Sequence, residues 1–168
     1  VFAYTRLSLV LYDTAIRTYN IQGDGSWSLY STLTVPSTPT AMKMTNDGQY
    51  LVIGMSSHLT IGITRVYKRN KTFQTGWEQL GFDLFGTDYL GKFGDAVDIN
   101  ADGSRIVVGA PDAGTDLFRA GSVRIYDWSG FLWNQTKVIE GTIPSQSLGF
   151  SLSFDDAGTW IVEDLSIA

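Results

Sequence analysis

Residues 93–111 read FGDAVDINADGSRIVVGAP, and the fold can be predicted from the pattern of this stretch. Val97 and Ile99 alternate with polar residues, and an apolar run follows at 106–108. Asp102-Gly103 lies between these two segments, and such a pair is a strong hairpin signal because glycine adopts the positive φ that tight hairpin turns require. The stretch therefore predicts two short antiparallel strands joined by a tight turn.

The same pattern occurs twice more, as MKMTNDGQYLVIG at 42–54 and as LSFDDAGTWIV at 152–162. The turn glycines Gly48, Gly103 and Gly158 are spaced 55 residues apart. A fixed period of this kind indicates an internal structural repeat.

Two further strands are predicted in each period. One begins with a tryptophan and the other ends in a tyrosine, at Trp27, Trp77 and Trp133 and at Tyr19, Tyr67 and Tyr126. Four short strands at this period are typical of a β-propeller, whose radial sheets bury their faces on one another. We therefore predict an all-β chain with about three four-stranded antiparallel blades, at 1–67, 68–126 and 127–168. A β-sandwich or a β-solenoid is the alternative.

Bulk composition narrows the class of protein. The 168 residues are 43% hydrophobic and 17% charged, which predicts a packed core. A net charge of −5 argues against a nucleic-acid partner, which needs a concentrated basic surface. The one basic cluster, Arg65, Lys68, Arg69 and Lys71, is interpreted as a solvated strand end and loop.

The chain has no cysteine, which excludes disulfides, thiolate metal sites and a cysteine nucleophile within it. No apolar run approaches 18 residues, so no transmembrane helix is predicted. The chain begins with Val1 and shows no signal-peptide pattern, from which we expect a processed or partial chain of a longer protein.

Phe93-Gly94, followed by Gly109-Ala110-Pro111, resembles the FG-GAP repeat, the blade unit of integrin-α-like β-propellers. Leu148-Gly149 is a degenerate copy of the first motif, and residues 77–126 are similar to tandem repeats in large secreted or surface proteins. The resemblance implies a propeller, commonly of seven blades, used for adhesion and protein–protein contact. Propellers close with four to eight blades, so the remaining blades are expected outside this span or on another chain.

The resemblance also implies calcium as a cofactor, since many blades of the family bind Ca²⁺ between their first two strands. Asp98, Asn100 and Asp102 match the first ligand positions, and a hard cation prefers such oxygen ligands. Ile106 occupies the position where the pattern has its last carboxylate, and the other two repeats match less well. The alternative is that Asn100 and Asp102 only shape the turn through local hydrogen bonds.

Other candidate residues are few. Asp112, Asp116 and Arg119 lie in the long loop after the GAP motif and are candidates for contact with a binding partner; the alternative is a solvated loop. His58, the only histidine, is interpreted as a surface residue, and Asp155-Asp156 as too poorly oriented for an acid/base pair. The repeated tryptophans are expected to pack between blades rather than to stack on sugars.

Asn70 and Asn134 begin N-glycosylation sequons, which favours an extracellular or cell-surface location. We therefore predict a non-catalytic structural or adhesion module that contacts other protein chains or the remaining blades. A carbohydrate-binding propeller, or non-catalytic blades of a larger secreted polysaccharide-active enzyme, are the alternatives.

Overall fold

The computed structural model describes residues 14–70, 72, 76–114, 118–159 and 161–164, and for 161–164 the backbone alone. Strands account for the regular structure of this part of the chain, together with a short 3₁₀ turn at His58–Thr60. All strand pairings are antiparallel, so the chain is all-β. Residues 1–13 of the first predicted blade lie outside the described residues.

The strands form four sheets in chain order. Sheet I contains β1 (Ala15–Ile21) and β2 (Trp27–Thr34). Sheet II contains β3 (Ala41–Met44), β4 (Tyr50–Met55), β5 (Ile63–Arg69) and β6 (Trp77–Gln79), and β7 (Leu84–Phe85) also pairs with β5. Sheet III contains β8 (Ala96–Ile99), β9 (Arg105–Ala110), β10 (Ser122–Trp128) and β11 (Trp133–Glu140), and sheet IV contains β12 (Ser151–Phe154) and β13 (Ile161–Asp164).

Sheets II and III repeat the same pairing. Ala41 pairs with Gly54 in β3 and β4, and Ala96 pairs with Gly109 in β8 and β9, 55 residues later. Each hairpin turn has its predicted glycine at positive φ, at Gly48, Gly103 and Gly158. The repeated hairpin predicted from sequence is confirmed, because alternation and turn glycines are local signals.

The hydrogen bonds divide the chain at other places than the predicted boundaries after 67 and 126. The strand that begins at Trp77 pairs with β5, and the one that begins at Trp133 pairs with β10. Each tryptophan strand therefore lies at the outer edge of the sheet formed by the strands before it and is not the first strand of the next sheet. The repeat alone does not fix this grouping, because a cyclic pattern has no intrinsic starting point.

The sheets stack face to face in chain order, and the core lies in the layers between them. Leu51 and Ile53 of β4 pack with sheet I, whereas Val52 between them packs with sheet III. Val107 of β9 turns to sheet IV, while Ile106 and Val108 turn to sheet II. Because successive side chains of a strand point to opposite faces, a continuous apolar run is required in these strands.

Glycines allow the closest approach between sheets. A Cβ on Gly54 would lie 2.0 Å from the carbonyl oxygen of Gly94, and a Cβ on Gly109 would lie 2.0 Å from that of Gly149. The glycine of Phe93-Gly94 therefore packs against Gly54 of sheet II, and the glycine of Leu148-Gly149 packs against Gly109 of sheet III. The first strands β3, β8 and β12 accordingly lie side by side.

Candidate binding face

The strand order places two kinds of connection at opposite ends of the sheets. The hairpin turns at 45–49, 100–104 and 155–159 lie at one end. The other end, which we call the loop face, consists of residues 56–62, 86–95, 111–114, 118–121 and 141–150. The loop face includes the predicted partner-binding residues Asp112 and Arg119, whereas Asp116 lies outside the described residues.

Non-glycine residues with a left-handed backbone conformation are concentrated on the loop face. Every non-glycine residue with positive φ in the described part of the chain lies there, namely Leu59, Thr60, Leu90, Lys92, Arg119, Ser145 and Ser147. Such residues are uncommon and persist only where the surrounding structure holds them. Here that support is hydrogen bonding between loops, from Leu90 N to Thr60 O at 2.7 Å and from Ser145 N to Phe118 O at 2.8 Å.

The loop face contains two cavities. One of them, which we call the inner cavity, opens between the loops of sheets III and IV. It has a volume of about 280 Å³ and is lined by Lys92, Pro111, Asp112, Arg119, Ser145, Ser147 and Phe150. The carboxylate of Asp112 pairs with both cations. Lys92 Nζ lies 3.0 Å from Asp112 Oδ2. Arg119 Nε donates to Asp112 Oδ1 at 2.9 Å, and Arg119 Nη2 lies 2.7 Å from the same oxygen. Asp112 is largely buried, while both cations are about half exposed.

The outer cavity, of about 310 Å³, lies on the other side of the β9–β10 loop. Its lining includes Thr87, Asp88, Ser122, Arg124 and Glu140. Arg124 donates from Nη2 to Thr87 and lies over the Phe93 ring, while its Nε and Ser122 Oγ are buried without a hydrogen-bond partner among the described residues. The cavity is therefore lined by polar side chains, and two of their buried polar atoms make no hydrogen bond to the described residues.

Arg65 occupies the place of Arg124 in sheet II, and its bonding differs. The carboxylate of Asp83 accepts two hydrogen bonds of 2.7 Å, from Arg65 Nε and Arg65 Nη2. Burial raises the pKa of Asp83, but hydrogen bonds from Arg65 and Gln79 outweigh burial, so the pKa lies below its ordinary value. Arg124 instead faces Val138 in the register of β10 and β11.

The predicted calcium residues each bond to different protein groups. Asp98 is buried, with Lys43 Nζ at 3.2 Å from Oδ1 and Phe154 N donating to Oδ2 at 2.9 Å, so it joins sheets II, III and IV. Asn100 accepts from Arg105 N, and Asp102 accepts from Ser104 N. Hydrogen bonds from Ser104 are the main cause that holds the pKa of Asp102 below its ordinary value.

No group of three or more His, Cys, Asp or Glu side chains that could hold a metal ion occurs among the described residues. Calcium at Asp98, Asn100 and Asp102 stays a prediction. A thermal melt with and without a chelator tests it: a midpoint lowered by chelation supports a structural ion, and an unchanged midpoint contradicts one.

The two sequons differ in their surroundings. Asn70 Nδ2, the atom that a glycan would modify, donates to Glu78 at 2.9 Å, and Asn70 Oδ1 accepts from Thr72. Asn134 is exposed on β11. Asn134 is therefore the more accessible of the two predicted acceptors.

The tryptophans follow the packing prediction in two of three cases. Trp77 is buried in the core between sheets I and II, and Trp133 is buried between sheets II and III with its Nε1 donating to Leu80 O at 3.1 Å. Trp27 differs, because 46% of it is exposed at the end of sheet I.

The remaining polar candidates have structural roles. In the basic cluster, Lys68 lies over the Tyr50 ring and Arg69 over the Tyr30 ring, while Lys71 is outside the described residues. Asp155 accepts from Thr159 across its turn. His58 forms the 3₁₀ turn through its carbonyl oxygen.

Sequence reasoning missed Lys92 and Arg124. Lys92 directly precedes the Phe-Gly motif and Arg124 lies in a regular strand, so neither position stood out. A comparison of repeats would have shown that Val138 replaces the acidic Asp83. Within the described residues, no helix is long and apolar enough to cross a membrane.

No protein family profile matches this chain. No curated protein matches it either. Among solved structures, the chain is similar to the crystal structure of a functionally unknown protein from Desulfotomaculum acetoxidans DSM 771, with a TM-score of 0.58 and 15% sequence identity. The match covers 92% of this chain and 45% of that one, so the chain spans less than half of its length. At this identity the likeness concerns the fold alone.

Proposed function

We propose that this chain is part of a β-propeller and acts as a non-catalytic extracellular adhesion module whose loop face binds other proteins. The observation that carries the proposal is the concentration of left-handed non-glycine backbone on the loop face, which also presents exposed aromatic side chains. Tyr89 and Phe118 are 74% and 71% exposed there. Aromatic side chains are enriched at protein interfaces, and binding residues commonly lie on loops held by a rigid scaffold.

The propeller part of the proposal rests on the repeated relation between sheets. The contact of Gly54 with Gly94 recurs as that of Gly109 with Gly149, and β8 lies between β3 and β12. A radial array of such sheets, continued through further repeats, is the architecture of a propeller. The resemblance of 93–94 and 109–111 to the FG-GAP repeat supports the same proposal. A structure of a longer chain containing this segment tests it, and an open stack of sheets would contradict it.

The extracellular location is supported by the exposure of Asn134. Mass analysis of the native protein before and after enzymatic removal of N-glycans tests this part. A mass decrease that an Asn134→Gln variant loses is expected, and an unglycosylated protein recovered inside cells would contradict it.

Adhesion is tested by coating beads with the chain and measuring their attachment to cells of the source organism. Tyr89→Ser and Phe118→Ser are expected to reduce attachment at least fivefold. Phe82→Ser and Phe131→Ser are matched controls, because this exposed aromatic pair, with ring centroids 6.3 Å apart, lies away from the loop face. No attachment of native beads, or equal loss in all four variants, would contradict the proposal. Attachment abolished by free glycans would favour the carbohydrate-binding alternative.

A further inference from the structure

We propose that the inner cavity binds a carboxylate side chain, aspartate or glutamate, of a partner protein. This inference rests on the proposed function and names the chemistry that the loop face recognises. Three features carry it: the charge balance of the cavity, the way its cations are held, and the contrast with the equivalent loops of the preceding repeat.

The charge balance favours an anion. Lys92 and Arg119 both pair with the single carboxylate of Asp112, so the charged groups lining the cavity sum to one positive charge. Each cation keeps nearly half of its side-chain surface exposed, at 47% for Lys92 and 46% for Arg119. This local excess lies in a chain whose net charge is −5. Lys92 and Arg119 share the carboxylate of Asp112, so both could still donate hydrogen bonds to a second carboxylate that enters the cavity.

The cations are held in place before any ligand arrives. Lys92 has φ 57° and Arg119 has φ 52°, in segments joined to neighbouring loops by backbone hydrogen bonds. Asp112 uses Nε and Nη2 of Arg119, and Nη1 has no partner among the described residues. A fixed guanidinium with a remaining donor loses little conformational freedom when it binds a carboxylate.

The equivalent loop positions of the preceding repeat do not carry these charges. Counting from the ends of the paired strands, Ser57 lies where Asp112 lies, and Thr60 lies where Arg119 lies, also at positive φ. The β9–β10 connection has eleven residues, against seven in the β4–β5 connection. Since folding of the repeat does not need the charged pair or the longer loop, they are best explained by binding at this one place.

The walls favour a peptide over a polysaccharide. Pro111 and the half-exposed ring of Phe150 lie beside the cations, and the volume of about 280 Å³ is enough for an acidic side chain and part of an apolar neighbour. Apolar surface adjacent to a charge suits a peptide in which glutamate or aspartate is flanked by an apolar residue.

The test uses the peptides acetyl-Phe-Glu-amide and acetyl-Phe-Gln-amide, with binding followed by chemical-shift changes of the backbone amides. We expect the glutamate peptide to bind at least fivefold more tightly than the glutamine peptide and to shift amides on the loop face. Lys92→Gln and Arg119→Gln are each expected to weaken this binding at least fivefold. Lys137→Gln, on the exposed β11 strand, makes the same change in net charge and should leave binding unchanged. Unfolding midpoints show that each variant is folded.

The inference is overturned if both peptides bind alike, if neither binds, or if Lys137→Gln weakens binding as much as Lys92→Gln. It is also overturned if an oligo-glucuronate binds through Lys92 and Arg119 while the glutamate peptide does not, since the ligand would then be an acidic polysaccharide. Bead attachment that survives Lys92→Gln and Arg119→Gln, without peptide binding, would refute the carboxylate site and leave the proposed adhesion intact. Absence of attachment by the native chain would refute the adhesion itself.

Discussion

Individual residues hold neighbouring sheets together through contacts that repeat along the chain. Gly54 and Gly109 give space to backbone carbonyls of the next sheet, and Asp98 connects to Lys43 on one side and to Phe154 N on the other. Lys43 and Asp98 are 55 residues apart, which is one repeat. The alternating polar residues of the decisive hairpin therefore serve the contact between repeats as well as their own strand.

Gly54→Ala is expected to lower the free energy of unfolding by about 1–3 kcal/mol, because its Cβ would overlap a backbone carbonyl that only a shift of the sheets could relieve. Gly23→Ala is the matched control, since a Cβ there meets nothing within 4 Å, and its effect should stay within about 0.5 kcal/mol. Urea unfolding measures both. Equal effects would show that the sheets separate more easily than this packing implies.

Asp127→Asn is expected to reduce stability at neutral pH by at most about 1 kcal/mol, because the ion pair with Arg105 is partly exposed. Hydrogen bonding from Arg105 holds the pKa of Asp127 below the value of about 3.9 that an unfolded aspartate has. The pair therefore stabilises the fold fully above about pH 4, and this contribution disappears as pH falls through the folded pKa. The difference between native and variant should shrink accordingly.

Unfolding free energies measured from pH 7 down to pH 2 test this expectation. Glu140→Gln serves as the control, because Glu140 is an exposed carboxylate at the end of β11. A native-to-Asp127→Asn difference that stays constant over the whole range would contradict a role for the charge.

At the scale of the element, the outer strands anchor each sheet on its neighbour. β11 is exposed along most of its length, yet its first residue, Trp133, is buried and donates to Leu80 O of the sheet II segment. Its ring lies 5.2 Å from that of Trp128, measured between centroids. The buried side chain of Trp133 thus attaches the otherwise exposed strand β11 to the neighbouring sheet II.

Trp133→Phe is expected to cost about 1–3 kcal/mol, through the lost hydrogen bond and the space left by the smaller ring. Trp27→Phe makes the same chemical change at the exposed first position of β2 and should change stability by less than about 0.5 kcal/mol. Chemical unfolding followed by circular dichroism compares them. Similar losses in both would mean that Trp133 does not anchor β11.

For the whole molecule, stability should be greatest in the middle of the stack. β4 and β9 are hydrogen-bonded on both sides and are buried from their second residue onward, whereas β2 and β11 are outermost in their sheets. Local opening requires less disruption where fewer neighbours are lost.

Amide hydrogen exchange is expected to be slowest at 51–55 and 106–110 and at least tenfold faster across β11 at 133–140. Mass-spectrometric exchange on the intact chain measures this difference. Uniform protection of β9 and β11 would contradict the layered arrangement, since it would indicate that the two strands open together.

The all-β class, the three hairpins and their 55-residue register can be predicted from the amino-acid sequence, because alternation, apolar runs and turn glycines act over a few neighbouring residues. The sequence also indicated Asp112 and Arg119 through the long loop that contains them. Three features emerge only from the folded chain: the sheet that each tryptophan strand joins, the bonds from Asp98 to neighbouring sheets, and the contact of Lys92 and Arg119 with Asp112. Those outcomes depend on how separate repeats stack, and contacts between residues far apart in sequence leave no local pattern.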